Sequence, residues 1–358
     1  MEARMIRLRE KLAEQSLDYL LVTDKSNRRY LTGFTGSNGL LLIGQNKNHL
    51  IVDGRYTEQA EQQTKHCDIL TTSDAVNQWG CLARLIKNRI VGFEAETIGY
   101  QQFLRLEEVV KTANAKLSTT NQWIEKMRMI KTEQELASLR EAARLADQAF
   151  SYITTIIKAG MSELDVANEL DYYSKRIGSE GPAFETIVAS GKRTALPHAH
   201  ASKKMIRENE LLMIDFGCIY EGYYSDITRT FALGEVDESI KAVYQQVLTA
   251  QKRAIESIAV GKMLNDIDST ARDYLKNEGL DHYFSHGLGH GIGLSCHEYP
   301  AVNKASAEMI SAGMTFTVEP GVYLPGKFGV RIEDDVFINA QGNVECLTKT
   351  PKDWLVIK

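Results

Sequence analysis

Residues 285–298, SHGLGHGIGLSCHE, set three histidines among four glycines that recur at every second position. Imidazoles ligate metals and carry protons near neutral pH, whereas glycine leaves a backbone bare. Four glycines in a helix would cost roughly 3–4 kcal/mol against alanine, so the segment is expected to be extended. One face then carries Gly287, Gly289, Gly291 and Gly293, and the other carries His286, Leu288, His290, Ile292 and Leu294. At ~3.3 Å per residue, His286 and His290 lie about 13 Å apart and cannot grip one ion. At most one of them is a ligand, and the others surround whatever binds against the glycine face.

Further ligands are expected from two hairpins. In ELLMIDFGCIYEGYYSDITRTFALG, two apolar-aromatic runs flank a turn at Tyr220–Glu221–Gly222. If the turn is centred on the 220–221 junction, Asp215 and Asp226 oppose each other with Cβ atoms about 5 Å apart. A turn at 221–222 leaves them diagonal, still within reach of a shared ion. Aspartate is depleted in strands and two opposed carboxylates repel, so a pair shielded by divalent cations is the better explanation. In MTFTVEPGVYLPGKFGVRIEDDVFI, Glu319 and Glu333 are symmetric about Gly326, and Asp334 and Asp335 compete with Glu333.

The assembled set is Asp215, Asp226, His290, Glu319 and Glu333. Four carboxylates are neutralised by two divalent metal ions. Oxygen donors with one imidazole favour Mn2+, with Co2+, Fe2+ or Zn2+ as alternatives. Such a pair makes water nucleophilic at neutral pH, which serves hydrolysis of a peptide or a phosphoester; the residues alone do not choose.

The chain that must position these groups has 358 residues, enough for two domains. With 42 basic against 47 acidic residues and no basic tract, a nucleic-acid partner is not expected. The charged amphipathic start (Met5, Leu8, Leu12) does not read as a signal peptide. No run approaches the ~18 apolar residues of a membrane span. Five scattered cysteines without a CxxC pair fit reduced thiols in a cytoplasmic protein. The runs DYLLVT, GLLLIG, HLIVD, DILTT, IVGFE and KLSTT read as strands alternating with helices near 55–65, 76–88 and 99–113. They imply an α/β N-terminal domain with a mixed sheet over residues 1–123, in which Asp53 and Arg55 serve as an N-cap and a surface charge. Thr132 and Glu135 form a capping-box pattern that opens a second domain, 124–358, of helices (163–177, 237–259, 264–278) and hairpin strands.

The ordered motifs IDFG, SDITRT, HGLGHGIGL, EPG and RIEDD resemble the pita-bread metallopeptidases (M24B), the group of aminopeptidase P and prolidase; YLTGFTGS and VDGRY resemble their creatinase-like N-terminal domain. The likeness runs through essentially the whole chain and implies an α+β pita-bread catalytic domain. It implies that Asp215 chelates one metal, His290 and Glu319 the other, and that Asp226 and Glu333 bridge both. Glu319 would also carry the proton from water to the leaving amine. His198 and His297 would hold the substrate carbonyl, with His286 a further pocket histidine. Arg331 and Tyr323 would support the ligands from behind. His200, the second imidazole of PHAH, departs from the family pattern and is left out of the site. The resemblance further implies proline-containing peptides as substrates and a homodimer. Prolidases need a cation for the free proline carboxylate, often an arginine in HRxGH; Gly287 stands there in this chain, so Xaa-Pro aminopeptidase is expected ahead of Xaa-Pro dipeptidase. Members of this group that have lost the ligands only bind, but all five positions are filled here.

Overall fold

The computed structural model describes residues 2–358, in two compact units, Met1–Arg128 and Met129–Lys358. In the first unit all six branched-residue runs are strands of one sheet: β1 (Tyr19–Val22), β2 (Leu40–Gly44), β3 (Asn48–Asp53), β4 (Asp68–Thr72), β5 (Ile90–Glu94) and β6 (Lys116–Thr120). Their order is β4-β3-β2-β1-β5-β6. The central β1–β2–β3 pairs are antiparallel and the flanking ones parallel, the mixed sheet expected. Asp53 does not cap the helix Thr57–Gln63, whose N-cap Tyr56 makes no side-chain cap bond. Its carboxylate instead accepts from Arg55 N, Nε and Nη2 at 3.1, 2.9 and 2.9 Å. The helix Trp123–Arg128 belongs to this unit, beyond the boundary expected at 123. Tyr30 Oη donates to Met127 O (3.1 Å) and Arg128 Nη1 to Asn27 Oδ1 (2.9 Å).

The second unit opens with the helix Glu133–Ile156, whose Thr132/Glu135 capping box forms as the sequence predicts. Helices Glu163–Arg176, Glu238–Ser257 and Leu264–Asn277 follow. Two sheets carry the chemistry-bearing motifs. One, ordered β19-β11-β8-β7, joins β7 (Ile187–Ser190), β8 (Glu210–Phe216), β11 (Ile227–Leu233) and β19 (Val356–Ile357), with β9 (Ile219–Tyr220) and β10 (Tyr223–Tyr224) as the tip of the β8–β11 hairpin. The other, ordered β13-β12-β14-β17-β18, joins β12 (Gly289–Gly291), β13 (Glu298–Val302), β14 (Thr315–Val318), β17 (Asp334–Ile338) and β18 (Val344–Cys346). Between β14 and β17 runs the pair β15 (Gly321–Leu324) and β16 (Phe328–Arg331). A large apolar core, including Leu248, Leu264, Phe316, Val318 and Val336, backs this second sheet.

The two sheets meet along residues 226–230 and 331–335. Asp226 N donates to Asp335 Oδ2 (2.9 Å), Glu333 N to Thr228 O (3.2 Å), and Thr230 Oγ1 to Arg331 O (2.9 Å). Beneath this seam, Asp334 accepts from Arg229 Nη2 (2.7 Å), Gln251 Nε2 (2.8 Å) and Thr348 Oγ1 (2.9 Å), and it also pairs with Lys352. Burial alone would raise the Asp334 carboxyl; Arg229 and Lys352 outweigh it and hold the group below its ordinary value. Removing one partner of a buried pair strands the other charge, at about 3–5 kcal/mol. Asp334→Ala is therefore expected to lose that much in urea denaturation. Arg140→Ala, which breaks an exposed pair with Glu345, should lose at most about 1 kcal/mol. Equal losses for the two variants would show that the seam does not depend on this pair.

Candidate metal centre and cleft

All five expected ligands line one cavity of about 440 Å³ in the second unit. Asp226, His290 and Glu333 offer ligand atoms within 4.8 Å of one another. His290 Nε2 lies 3.3 Å from Glu319 Oε1 and 3.6 Å from Asp226 Oδ2. His290 Nδ1 contacts Gly291 O at 3.1 Å. A carbonyl only accepts, so the proton sits on Nδ1 and the Nε2 lone pair faces the carboxylates.

The hairpin registers follow from their turns. Glu221 (φ 46) and Gly222 (φ 69) are both left-handed, the requirement of a two-residue type I′ turn. Tyr220 therefore pairs with Tyr223, and Asp215 with Thr228 rather than Asp226. The two aspartates are diagonal neighbours on one face, not opposed. In the second hairpin, Lys327 N closes the Pro325–Gly326 turn onto Leu324 O (3.0 Å), with Gly326 at φ 70. The register then runs Gly321↔Arg331 and, beyond an interruption, Val318↔Asp334. Glu319 and Glu333 fall opposite each other at that interruption, where the ladder opens toward the cavity.

The alternate glycines have a different role from the one expected. Only Gly289–Gly291 is strand, and the register shifts between His290 and Gly291. A Cβ at Gly289 would stand 2.0 Å from Thr317 O, and one at Gly291 would stand 2.1 Å from Tyr299 O. The bare sides of Gly289 and Gly291 thus receive the backbones of neighbouring strands, while Gly287 and Gly289 also line the cavity. A Cβ at Gly287 would meet Asn303 Cβ and Val302 O at 3.0 Å. A side chain there would need these neighbours to give by a few tenths of an ångström.

Arg331, 2% exposed, ties these pieces together. Nη2 binds Asp215 Oδ2 (2.5 Å) and Nε binds Thr228 Oγ1 (3.0 Å), whose hydroxyl donates to Glu333 Oε2 (2.6 Å). Nη1 donates to Tyr323 Oη (2.7 Å) and to Pro197 O (3.0 Å), next to His198. Tyr323 Oη in turn meets His286 Nε2 at 2.9 Å, while His286 Nδ1 holds Gly287 O at 2.8 Å. His286 is therefore a neutral acceptor of the tyrosine proton, its pKa lowered to about 4 by burial and by Arg331. It braces the network rather than facing the ligand atoms. The loop carrying His198 is anchored by the buried Glu163, which accepts from Ser190 N (2.9 Å), Arg193 Nε (2.9 Å) and Ser202 Oγ (2.7 Å). His198 and His297 are exposed on the cavity wall, and the His297 ring centroid lies 4.1 Å from that of His290. His200 also lines the cavity but is exposed and paired with Glu185 at 2.9 Å.

The electrostatics fit a divalent cation. Burial, then Asp215, pushes Asp226 well above its ordinary range; burial, then Asp226, does the same to Glu333. Glu319 is raised to about 8 by burial and Asp215, against the pull of Arg331. Burial, then His297, lowers His290 to about 4, so its imidazole is neutral. Among the described residues Asp215 Oδ1 and Asp226 Oδ1 are buried without a hydrogen-bond partner. Such orphans are costly, and with one imidazole lone pair and two glutamates they make an oxygen-rich donor set for divalent ions. Asp334 and Asp335 are engaged elsewhere, in the ion pair and in holding Asp226 N. Three supporting side chains escaped the sequence reading. Thr317 Oγ1 donates to Glu319 Oε1 (3.1 Å), Thr228 serves Glu333, and Cys296 Sγ contacts Asp226 Oδ2 at 3.4 Å. Thr228 and Thr317 stand two residues from a ligand on the same strand face, a period-2 signal that could have found them.

Comparison with known proteins agrees with this geometry. Residues 4–130 match the Creatinase/Prolidase N-terminal domain and residues 137–340 match metallopeptidase family M24. The Xaa-Pro dipeptidase of Pyrococcus furiosus is 34% identical, the alignment covering 99% of this chain and all of that one. The solved Xaa-Pro dipeptidase of Bacillus anthracis superposes with TM-score 0.95 at 39% identity over 99% of both chains. The X-Pro aminopeptidase of Thermotoga maritima superposes at 0.87 with 36% identity, over 96% of this chain and 98% of that one. With a cluster of acids and one imidazole at the meeting of two sheets, and both domain matches in order along the chain, the protein belongs to metallopeptidase family M24 and has its creatinase-like N-terminal domain and pita-bread catalytic domain.

Proposed function

We propose that the protein is an Xaa-Pro dipeptidase, hydrolysing the bond between an N-terminal residue and proline in dipeptides. The observation that carries this reading is the acid–imidazole cavity on a chain alignable end to end with proteins named Xaa-Pro dipeptidase and prolidase. Asp215, Asp226, His290, Glu319 and Glu333 would hold two divalent ions, for which Mn2+ suits the donor set. When bound, such ions polarise the scissile carbonyl and make water nucleophilic at neutral pH. Glu319, with its carboxyl near neutrality in the metal-free protein, takes a proton and returns it to the proline nitrogen. His198 and His297 orient the substrate carbonyl from the exposed wall. Arg331 fixes Asp215 directly and Glu333 through Thr228, and Tyr323 and His286 fix Arg331 from behind.

A second reading, Xaa-Pro aminopeptidase acting on longer peptides, is favoured by Gly287, which brings no cation to the cavity. The Mn2+-loaded enzyme should be given an Xaa-Pro dipeptide and an Xaa-Pro-Yaa-Zaa tetrapeptide with the same first residue. The dipeptidase reading expects a kcat/KM at least about tenfold higher for the dipeptide, ~1.4 kcal/mol of discrimination. A preference of that size for the tetrapeptide makes the aminopeptidase reading correct.

Acidity of the cluster gives a second expectation. A carboxyl whose folded pKa lies above its unfolded one favours folding while protonated. That contribution is complete below the unfolded value and is lost as pH rises through the folded one. For Glu319 the window runs from 4.5 to about 8. Across it the metal-free protein loses this stability, and Mn2+ restores it by neutralising the acids. The Tm increment on adding Mn2+ should therefore grow with pH in this window, with proton release seen calorimetrically in buffers of different ionisation enthalpy. An increment that shrinks with rising pH would contradict the ligand assignment.

A further inference from the structure

Resting on the peptidase reading, we infer that Asn303 is a specificity-determining residue. Its side-chain amide is a fixed neutral donor to the carboxyl-terminal side of the substrate, beside Gly287, which brings no cation to the cavity. Asn303 is partly buried and lines the same cavity as the ligand cluster. It follows directly on β13, at a tight turn. Its Oδ1 accepts from Ala305 N at 2.8 Å and from Ser306 Oγ at 3.4 Å, and its own N–H donates to Ser306 Oγ at 3.0 Å. Ser306 Oγ is itself anchored on Ala301 O at 2.7 Å.

These bonds settle the orientation of the amide. A backbone N–H can only donate, so the atom facing Ala305 N must be the oxygen. The NH2 group then points away from the turn, and the side-chain bonds of Asn303 all run through Oδ1. The result is a pre-oriented donor pair whose χ angles are already fixed by the turn, so little ordering entropy is lost when it binds.

Its placement identifies what it can bind. A Cβ on Gly287 would lie 3.0 Å from Asn303 Cβ, so the Asn303 side chain stands against the backbone where the missing side chain would begin. Of the other cavity-lining side-chain donors, His198 and His297 are assigned to the scissile carbonyl, and the rest are engaged within the protein. Arg331 is occupied by Asp215, Thr228, Tyr323 and Pro197 O. Both nitrogens of His286 are used, and His200 is paired with Glu185. An N–H donor repels the cationic amino terminus of a peptide and attracts an acceptor. The acceptor is the proline carboxylate of a dipeptide or the proline carbonyl of a longer peptide. A neutral amide serves both, whereas an arginine would favour the carboxylate alone.

Asn303→Asp tests this directly, because Asp keeps the oxygen that Ala305 N and Ser306 Oγ require and changes only the group left over. The substrates are an Xaa-Pro dipeptide and its C-terminal amide, which differ by one charge. In the variant a carboxylate replaces the donor, so the dipeptide-to-amide ratio of kcat/KM should fall at least about tenfold, through KM rather than kcat. Bound Mn2+ and Tm should match the parent, which separates the effect from a disturbed turn. A ratio within about twofold of the parent's, or a change carried by kcat, overturns the assignment. If the parent cleaves neither substrate, the peptidase reading fails on that result. The ratio of the two calorimetric dissociation constants, parent against variant, then judges Asn303 by the same tenfold criterion.

Discussion

Four buried or partly buried carboxyls, Asp215, Asp226, Glu319 and Glu333, crowd around one cavity, and among the described residues a single guanidinium, that of Arg331, reaches into them. Two like charges 4 Å apart repel by about 4 kcal/mol at an effective dielectric constant of 20, so the acids cannot all ionise without help. Arg331 answers part of this by placing each donor differently: one on Asp215, one on Thr228 and through it on Glu333, the rest on Tyr323 and the Pro197 carbonyl. A lysine could not reproduce this, since an ammonium lacks the planar fork. The negative charge that Arg331 leaves over is the property that makes the cavity a cation site. The orphaned oxygens of Asp215 and Asp226 mark where that charge is concentrated.

This arrangement needs a rigid frame, because carboxylates held apart only by rotamers would turn away from one another. The frame is the seam between two hairpins, where backbone and side-chain bonds from 226–230 to 331–335 fix the strands that carry Asp226 and Glu333 and the supports Thr228 and Arg331. The Asp334–Arg229 pair stands behind the seam and uses acidity for structure, one residue from an acid reserved for chemistry. Strand alternation alone separates these roles. Asp334 faces the opposite side from its neighbours Glu333 and Asp335.

Much of this frame is legible in the residues. Strands in the first unit follow from branched runs, and the Thr132/Glu135 box follows from capping chemistry. The Glu319–Glu333 pairing follows from the Pro325–Gly326 turn, because a proline–glycine pair leaves little choice of centre. The Asp215–Asp226 register was ambiguous for a physical reason. Gly222 advertises one left-handed residue, but the turn needs two, and the second is Glu221, whose type gives no such signal. The glycines of 287–293 advertise a close approach without naming what approaches, and Thr317 and Tyr299 come from distant stretches of chain. Arg331's four partners span residues 197–323, and no local pattern encodes such reach.

The groups divide by the kind of element that holds them. The acids and His290 stand on or beside paired strands, with second partners on neighbouring strands. His198, His200, Asn303 and Glu185 stand on turns and loops around the cavity mouth. Loops accept substitution more readily than paired strands, because fewer backbone bonds depend on them. A fold built this way can keep one hydrolytic centre while its choice of substrate drifts. That is consistent with this chain resembling proteins named dipeptidase and a protein named aminopeptidase at nearly equal identity, 39% and 36%. Overall likeness therefore reports the strands, and hence the chemistry, whereas the length of peptide accepted depends on a few rim side chains. Among those, a neutral donor locked by its own turn gives a weaker preference for a free carboxylate than a charged one would, and a wider range of peptides follows from that single substitution of chemistry.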